Sequence, residues 1–270
     1  MQYEGNIRKM ETALDDTVRY GLRLYDNLVP TESISLNEAV GSDIRIEFLH
    51  EINCVVTGKK IKKAFGEGMS YEAFMNSPQA SPSIIRPERS RIHEGIALRD
   101  FEWEMKNHMT PHTVYLAQTA GVKVGVTRNT QIPTRWIDQG AVKAIRLAVT
   151  PYRQAAGLIE VALKDHISDK TSWQKMLKGE IEEHDLIQLK TDMSAFVPDE
   201  FKQYLTQNDD LVEIHYPIIA HPPKVKSLKL DKEPLLEKKL MGIKGQYLLF
   251  DDATVINMRS HSGYKVRVEF

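Results

Sequence analysis

Two ends of this chain carry a period-two pattern, and its middle mixes strand and helix signals. Near the amino terminus Val18, Tyr20, Leu22 and Leu24 alternate with Arg19, Gly21, Arg23 and Tyr25, and Ile44, Ile46 and Phe48 alternate with Arg45 and Glu47. Such alternation predicts strands with one buried face. Residues 36–40 read as a short helix closed by Gly41. Toward the carboxy terminus, residues 240–243, 246–250, 254–258 and 264–270 read as strands, with Asp251-Asp252 and Ser262-Gly263 as turns. A few strands alone bury too little to be stable in water. The two termini are therefore expected to pair into one β-barrel-like or sandwich domain, with the middle of the chain inserted.

The middle is organised around residues 113–140, TVYLAQTAGVKVGVTRNTQIPTRWIDQG. Residues 114–117 and 122–126 predict a hairpin turning at Thr119-Ala120-Gly121. A helix should follow, with Pro133 at its first position and Gly140 as its stop. In 142–149, Ile145, Leu147 and Val149 alternate with Arg146 and Ala148, which predicts a third strand beside the hairpin. Thr150 then suits an N-cap and Pro151 a first turn of a long helix to His166, with Ala155, Ile159, Ala162 and Leu163 as core stripe and Glu160 off it. Further helices are expected over 172–177, closed by Gly179, and over 185–194 and 198–205, with a connecting strand at 211–216. His221-Pro222-Pro223 reads as a link, since prolines donate nothing to a sheet. The fold class is α+β, in four regions: 1–50 (β), 51–112, 113–210 (α/β with acidic helices) and 211–270 (β, pairing with 1–50).

At 270 residues there is room for two small domains or one domain with a large insertion. Basic and acidic residues number 36 and 37, so any case for a polyanionic partner must be local. Residues 111–165 carry seven Lys/Arg (Lys123, Arg128, Arg135, Lys143, Arg146, Arg153, Lys164) against Asp138, Glu160 and Asp165, a difference of +4. Residues 166–210 carry five basic and ten acidic residues, a difference of −5. The start, MQYEGNIRKM, has no apolar stretch of signal-peptide length, and no run of about 18 apolar residues occurs, so a cytoplasmic protein without a membrane partner is expected. The single cysteine, Cys54, forms no intrachain disulfide.

Residues 113–140 resemble the GIY-YIG nuclease superfamily, whose two short motifs lie on adjacent strands before a helix bearing an arginine. Thr113-Val114-Tyr115 stands where the first tripeptide would, and Lys123-Val124-Gly125 where the second would, with Thr127 two residues beyond the glycine. Tyr115 keeps the first tyrosine, Lys123 replaces the second, and Arg135 lies about where the superfamily arginine belongs. Glu160 matches the metal-binding glutamate, with magnesium or manganese as the implied cofactor. In the implied chemistry the metal and arginine offset charge on phosphoryl oxygens while a base deprotonates water. The resemblance assigns Tyr115, Arg135 and Glu160 to catalysis, and Lys123, Gly125, Thr127, Arg128, Arg135 and Arg146 to nucleic-acid contact. A lysine is a fixed cation at neutral pH, suited to holding a phosphate rather than relaying a proton. Plainer roles stand beside these. Tyr115 suits a packing aromatic, Glu160 a surface pair with Lys164, Arg135 a solvated helix face, and Gly125 a close backbone approach.

Over almost the whole chain, the segments GNIRKM, EINC, IKKAFGEG, VKVGVTRNTQIPTRWIDQGAVKAI, SDKTSW and GIKGQYLLF resemble the bacterial domain-of-unknown-function 2797 family. That family carries a C-x-x-C pair at the positions of Cys54 and Thr57, a second at Ser70 and Ala73, and further cysteines near Ser83 and Ser90. Such a frame suits tetrahedral zinc. Here Cys54, His93, His108 and His112 remain, so no structural zinc is expected. The roughly 10–16 kcal/mol that a structural zinc can supply must be offset by packing, for which Ile61, Phe65, Tyr71, Phe74, Ile84, Ile85 and Trp103 are candidates.

Three functions follow: a DNA- or RNA-binding protein on a nuclease-like scaffold with weak or absent cleavage, an active metal-dependent endonuclease, or a non-enzymatic interaction factor whose basic middle docks on its acidic segment. The first is the expected one. The two nucleic-acid readings rest on Tyr115, Lys123, Arg135 and Glu160 sharing one phosphate-sized concavity.

Overall fold

A computed structural model of the chain describes residues 1–167 and 172–270; positions 168–171, the first four of the SDKTSW segment, lie outside the described residues. The chain begins with β1 (Gln2–Asn6), β2 (Glu11–Ala13), β3 (Arg19–Asp26), β4 (Val29–Ser35), β5 (Asp43–Asn53) and β6 (Lys60–Ile61). Short helices follow: α1 (Tyr71–Asn76), α2 (Pro82–Ile85) and α3 (Phe101–His108). Then come β7 (His112–Gln118), β8 (Val122–Arg128), α4 (Thr134–Asp138), β9 (Lys143–Thr150), α5 (Arg153–Lys164), α6 (Trp173–Leu177), α7 (Leu186–Ser194) and β10 (Val212–Glu213). The chain closes with β11 (Lys226–Ser227), β12 (Leu235–Lys244), β13 (Tyr247–Phe250), β14 (Thr254–Asn257) and β15 (Tyr264–Glu269).

The protein is mixed α+β and divides into two compact units, one of residues 1–75 with 215–270 and one of residues 76–214. The first unit is built on a curled, half-barrel sheet. Its order is β11-β14-β13-β12-β5-β15-β1-β3-β2, with β4 on β3 and β6 on β5. The first and last strands are neighbours, Gln2 opposite Glu269, and β15 lies against β5 with Val266 opposite Phe48. Tyr20, Leu22, Leu24, Ile44, Ile46, Val266 and Val268 are all buried, the inward half of each alternation. The other face carries cross-strand ion pairs, among them Arg45–Glu237 at 3.0 Å and Arg267–Glu4 at 3.1 Å. Each is worth little alone, but a one-residue slip would break these pairs and turn the apolar set to the other face. Irregularities in register at Arg23/Tyr25, Leu240/Gly242 and Tyr264/Val266 bend the strands, as bulges do.

The second unit holds a four-stranded sheet of order β10-β9-β7-β8. All seven residues of β7 are buried, because this central strand is covered on both faces. On one face α5 lays Ala155, Ile159 and Leu163 against Val114, Leu116, Ile145 and Leu147, and Leu186 and Met193 of α7 join the same cluster.

Several local expectations are corrected. Thr150 is the last residue of β9, and its hydroxyl donates to the carbonyls of His112 and Tyr152; α5 starts at Arg153, with Tyr152 in the cap position. Pro133 precedes the first turn of α4 rather than forming it. Ala162 is only half-buried, whereas Ala156, Gly157 and Glu160 are buried, so α5 is covered over a wider arc than its apolar stripe. Of the packing candidates between 51 and 112, Tyr71, Ile84 and Ile85 are exposed and Ile61, Phe65, Phe74 and Trp103 half-buried. Buried there instead are Ser77, Ser81, Ser83, Ser90, Glu104 and His108. The segment also splits, its first part in one unit and the rest in the other.

Candidate functional site

The hairpin register decides the first contact. Tyr115 on β7 lies opposite Gly125 on β8 and opposite Arg146 on β9. Its ring reaches over the glycine, and a Cβ at position 125 would come within 2.6 Å of the phenolic oxygen. Gly125 is thus required by a side chain, not by an approaching backbone. Tyr115 is fully buried, its hydroxyl donates to Gln139 Oε1 at 2.9 Å, and its ring meets Trp136 edge-on at 6.1 Å. Gln139 follows the last turn of α4, one turn beyond Arg135, which brings both toward the phenol. Burial raises the Tyr115 pKa; the Arg135 charge opposes this and the Glu160 charge adds to it.

Glu160, in α5, is 9% exposed. Burial pushes its carboxyl above the ordinary range, Lys164 draws it back, Glu88 pushes it further up and Arg153 draws it down. The Lys164 ammonium stands 3.6 Å from Glu160 Oε2, beyond hydrogen-bond length, and that oxygen is buried with no hydrogen-bond partner among the described residues. The surface pairing with Lys164 is therefore present, but on a carboxylate that the fold has withdrawn from water. Arg153 opens the same helix and points back to the α2 segment, donating from Nε to Ser83 O at 2.8 Å and from Nη2 to Ile84 O at 2.9 Å. Burial lowers its pKa to about 10, Glu160 opposing and the charges of Arg128 and Arg135 lowering it further.

Tyr115, Arg135, Glu160, Arg153 and Arg128 therefore act on one another electrostatically within one region. Arg128 also donates to Asn107. Lys123 is half-buried opposite Ala117, two positions along β8 from Gly125 and on the same face of the sheet. Thr127 is buried opposite Thr113, and Arg146 is exposed. Gln139, Arg153 and Glu88 are the members that sequence patterns did not single out. Gln139 had a usable signal, its four-residue spacing from Arg135. Arg153 entered only as one charge in a basic stretch, and nothing local marks Glu88.

Glu160 and Glu88 offer carboxylate oxygens, the donor type that suits magnesium or manganese, beside the cations Lys164 and Arg153. Among the described residues no group of three or more His, Cys, Asp or Glu is arranged to hold a metal ion. The remnants of the cysteine frame lie in separate units: Cys54 in the first, His93, His108 and His112 in the second. Cys54 Sγ accepts from Ser70 N at 3.2 Å, and Ser70 Oγ accepts from Ala73 N at 3.1 Å. Burial raises the Cys54 pKa, but hydrogen bonds from Thr57, Ser70 and Val56 outweigh it and bring the thiol to about 7. In the second unit Ser90 Oγ lies 3.2 Å from His108 Nδ1, and His93 stacks on Tyr152 at 4.6 Å.

The family model described as protein of unknown function DUF2797 matches residues 41–266. The chain belongs to this family. The DUF2797 match takes in β5 to β14 and the start of β15, hence both sheets and every residue of the Tyr115 region. No curated protein and no solved structure matches the chain. Among the described residues no helix is long and apolar enough to cross a membrane.

Proposed function

We propose that the second unit binds the phosphate backbone of DNA or RNA on a GIY-YIG-like scaffold, with cleavage weak or absent. The observation that carries this reading is the gathering in one region of three arginines from different elements, Arg128 of β8, Arg135 of α4 and Arg153 of α5, whose charges act on one another. Like charges assembled in a half-buried place raise the energy of the free protein, and a polyanion relieves it. Lys123, on the face that Tyr115 occupies, and exposed Arg146, on the neighbouring strand, extend the basic surface. Weak cleavage follows from the phenol. Tyr115 is buried, its hydroxyl donates a hydrogen bond to Gln139 Oε1, and its pKa is raised, so it stays a neutral phenol and is a poor base at neutral pH.

The test is fluorescence anisotropy with short DNA and RNA oligonucleotides in EDTA, from 50 to 200 mM salt. Contact with about three phosphates predicts a slope near −2.7 in log K against log salt, a roughly forty-fold loss over that range. A flat salt dependence, or no binding at 50 mM, overturns the reading. Glu160 favours a second one, a metal-dependent endonuclease, because a buried carboxylate oxygen without a hydrogen bond is suited to a cation. Manganese-dependent cleavage lost in Glu160→Gln supports it; equal cleavage in that variant dismisses it.

A further inference from the structure

We infer that Glu88 is a second carboxylate ligand which, together with Glu160, forms a site for one magnesium- or manganese-class cation. The inference rests on the proposed reading of this region as one that meets phosphates, and it adds a residue that no motif supplies.

The backbone brings Glu88 to the site. Gly157, in the middle of α5, has no side chain, and a Cβ there would lie 2.5 Å from the carbonyl carbon of Pro87 and 2.8 Å from the Cα of Glu88. The Pro87-Glu88 segment therefore seats directly on the helix, one turn before Glu160. Arg153 fixes the approach from the other side through the carbonyls of Ser83 and Ile84. Held in this way, the Glu88 charge acts on both Glu160 and Arg153.

Each carboxylate carries a buried oxygen, Glu88 Oε2 and Glu160 Oε2, with no hydrogen-bond partner among the described residues. Of the two neighbouring cations, Arg153 directs Nε and Nη2 to carbonyls, and Lys164, with a side chain 42% exposed, forms an ion pair with Glu160 Oε2 at 3.6 Å, too long for a hydrogen bond. Two like charges that act on one another through carboxylates with buried, unused lone pairs are costly, and a shared cation removes both costs at once. Oxygen donors alone select a hard ion, and two carboxylates leave coordination positions for water and phosphate oxygens. A shared proton is the competing way to relieve the same pair, and it makes a different forecast.

The experiment titrates manganese into the full-length protein, without nucleic acid, and follows free Mn²⁺ by electron paramagnetic resonance. The wild type is expected to bind one ion per chain. Glu88→Gln and Glu160→Gln, each isosteric with the parent, should weaken binding at least tenfold. Lys164→Ala should tighten it, since it removes a competing cation from beside the site. Wild-type affinity in Glu88→Gln overturns the inference while leaving Glu160 as a lone ligand. Absence of manganese binding by the wild type at millimolar metal also overturns it, in favour of a shared proton. Oligonucleotide binding in EDTA is measured separately, so loss of the phosphate reading and loss of the cation site give different results.

Discussion

The second unit has two buried polar regions, and they manage the cost of burial in opposite ways. Around α4 and α5, Arg153 and Glu160 bring charges of both signs together. Around α3, Glu104, His108 and His112 are 0–1% exposed, and the imidazoles give up their charge instead. Burial lowers the His108 pKa to about 3, aided by Arg153, His112 and Arg128. Burial lowers His112 to about 4 against the Thr110 carbonyl, which pulls it upward, while Arg153 and Arg128 lower it further. Glu104 Oε1 accepts from the backbone of Leu98 and Arg99, at 3.0 and 2.8 Å. The α3 region thus holds one oxygen of its carboxylate with backbone donors and keeps its imidazoles neutral, although Glu104 Oε2, His108 Nε2 and His112 Nε2 have no hydrogen-bond partner among the described residues. The α5 region retains charge, which is expected of a surface that meets a charged ligand.

The largest test of this contrast is acid. Above pH 6.5 neither the folded nor the unfolded chain protonates these histidines; between about 6.5 and 4 the unfolded chain takes up protons that the folded one refuses. Stability is therefore complete above 6.5 and falls as pH drops through that window, by on the order of several kcal/mol. Glu160 runs the other way, because its raised pKa makes protonation relieve its burial. Urea unfolding from pH 7 to 4 should show a smaller acid loss in a His108→Gln/His112→Gln variant; an unchanged loss would mean that other groups set the acid limit.

Arg153→Met strips the buried Ser83 carbonyl and the part-buried Ile84 carbonyl of their donor and should cost about 3 kcal/mol in urea unfolding. A cost below about 1 kcal/mol would show that Arg153 is not what fixes the 83–88 segment. Gly157→Ala sets an over-packing cost of about 1–3 kcal/mol against roughly 1 kcal/mol of helix propensity. A lowered melting temperature is expected, and a raised one would show that the Pro87-Glu88 seat moves freely. Tyr115→Phe removes one hydrogen bond to Gln139 and should cost about 1 kcal/mol, with anisotropy in EDTA unaltered. Lys123→Gln should leave stability unchanged and reduce the salt slope of oligonucleotide binding by about 1; an unchanged slope removes Lys123 from the phosphate contacts.

Much of the sheet structure was readable because strand alternation is a local property. Tyr20, Leu22 and Leu24 face inward as their spacing requires, and Gly140 and Gly179 take up positive φ, 72° in each case, where helices were expected to stop. The start of α5 was misplaced because Thr150 has two uses: a hydroxyl that suits a cap also suits the end of a buried strand, and the pairing of His112 with Thr150 decided between them. The polar packing of 76–112 was hidden for a similar reason, since serines in sequence give no sign that Ser90 will meet His108.

The sequence by itself determined which residues alternate along the strands and where the central hairpin turns; the pairing of Tyr115 with Gly125 belongs to the folded sheet. Tertiary structure alone decided that Glu160 is withdrawn from water and that Glu88 and Arg153 join it. Those neighbours come from segments far apart in the chain, brought together by a glycine without a side chain and by two carbonyls that need a donor. Local periodicity records which face of an element is apolar; it carries no information about which distant segment will cover that face.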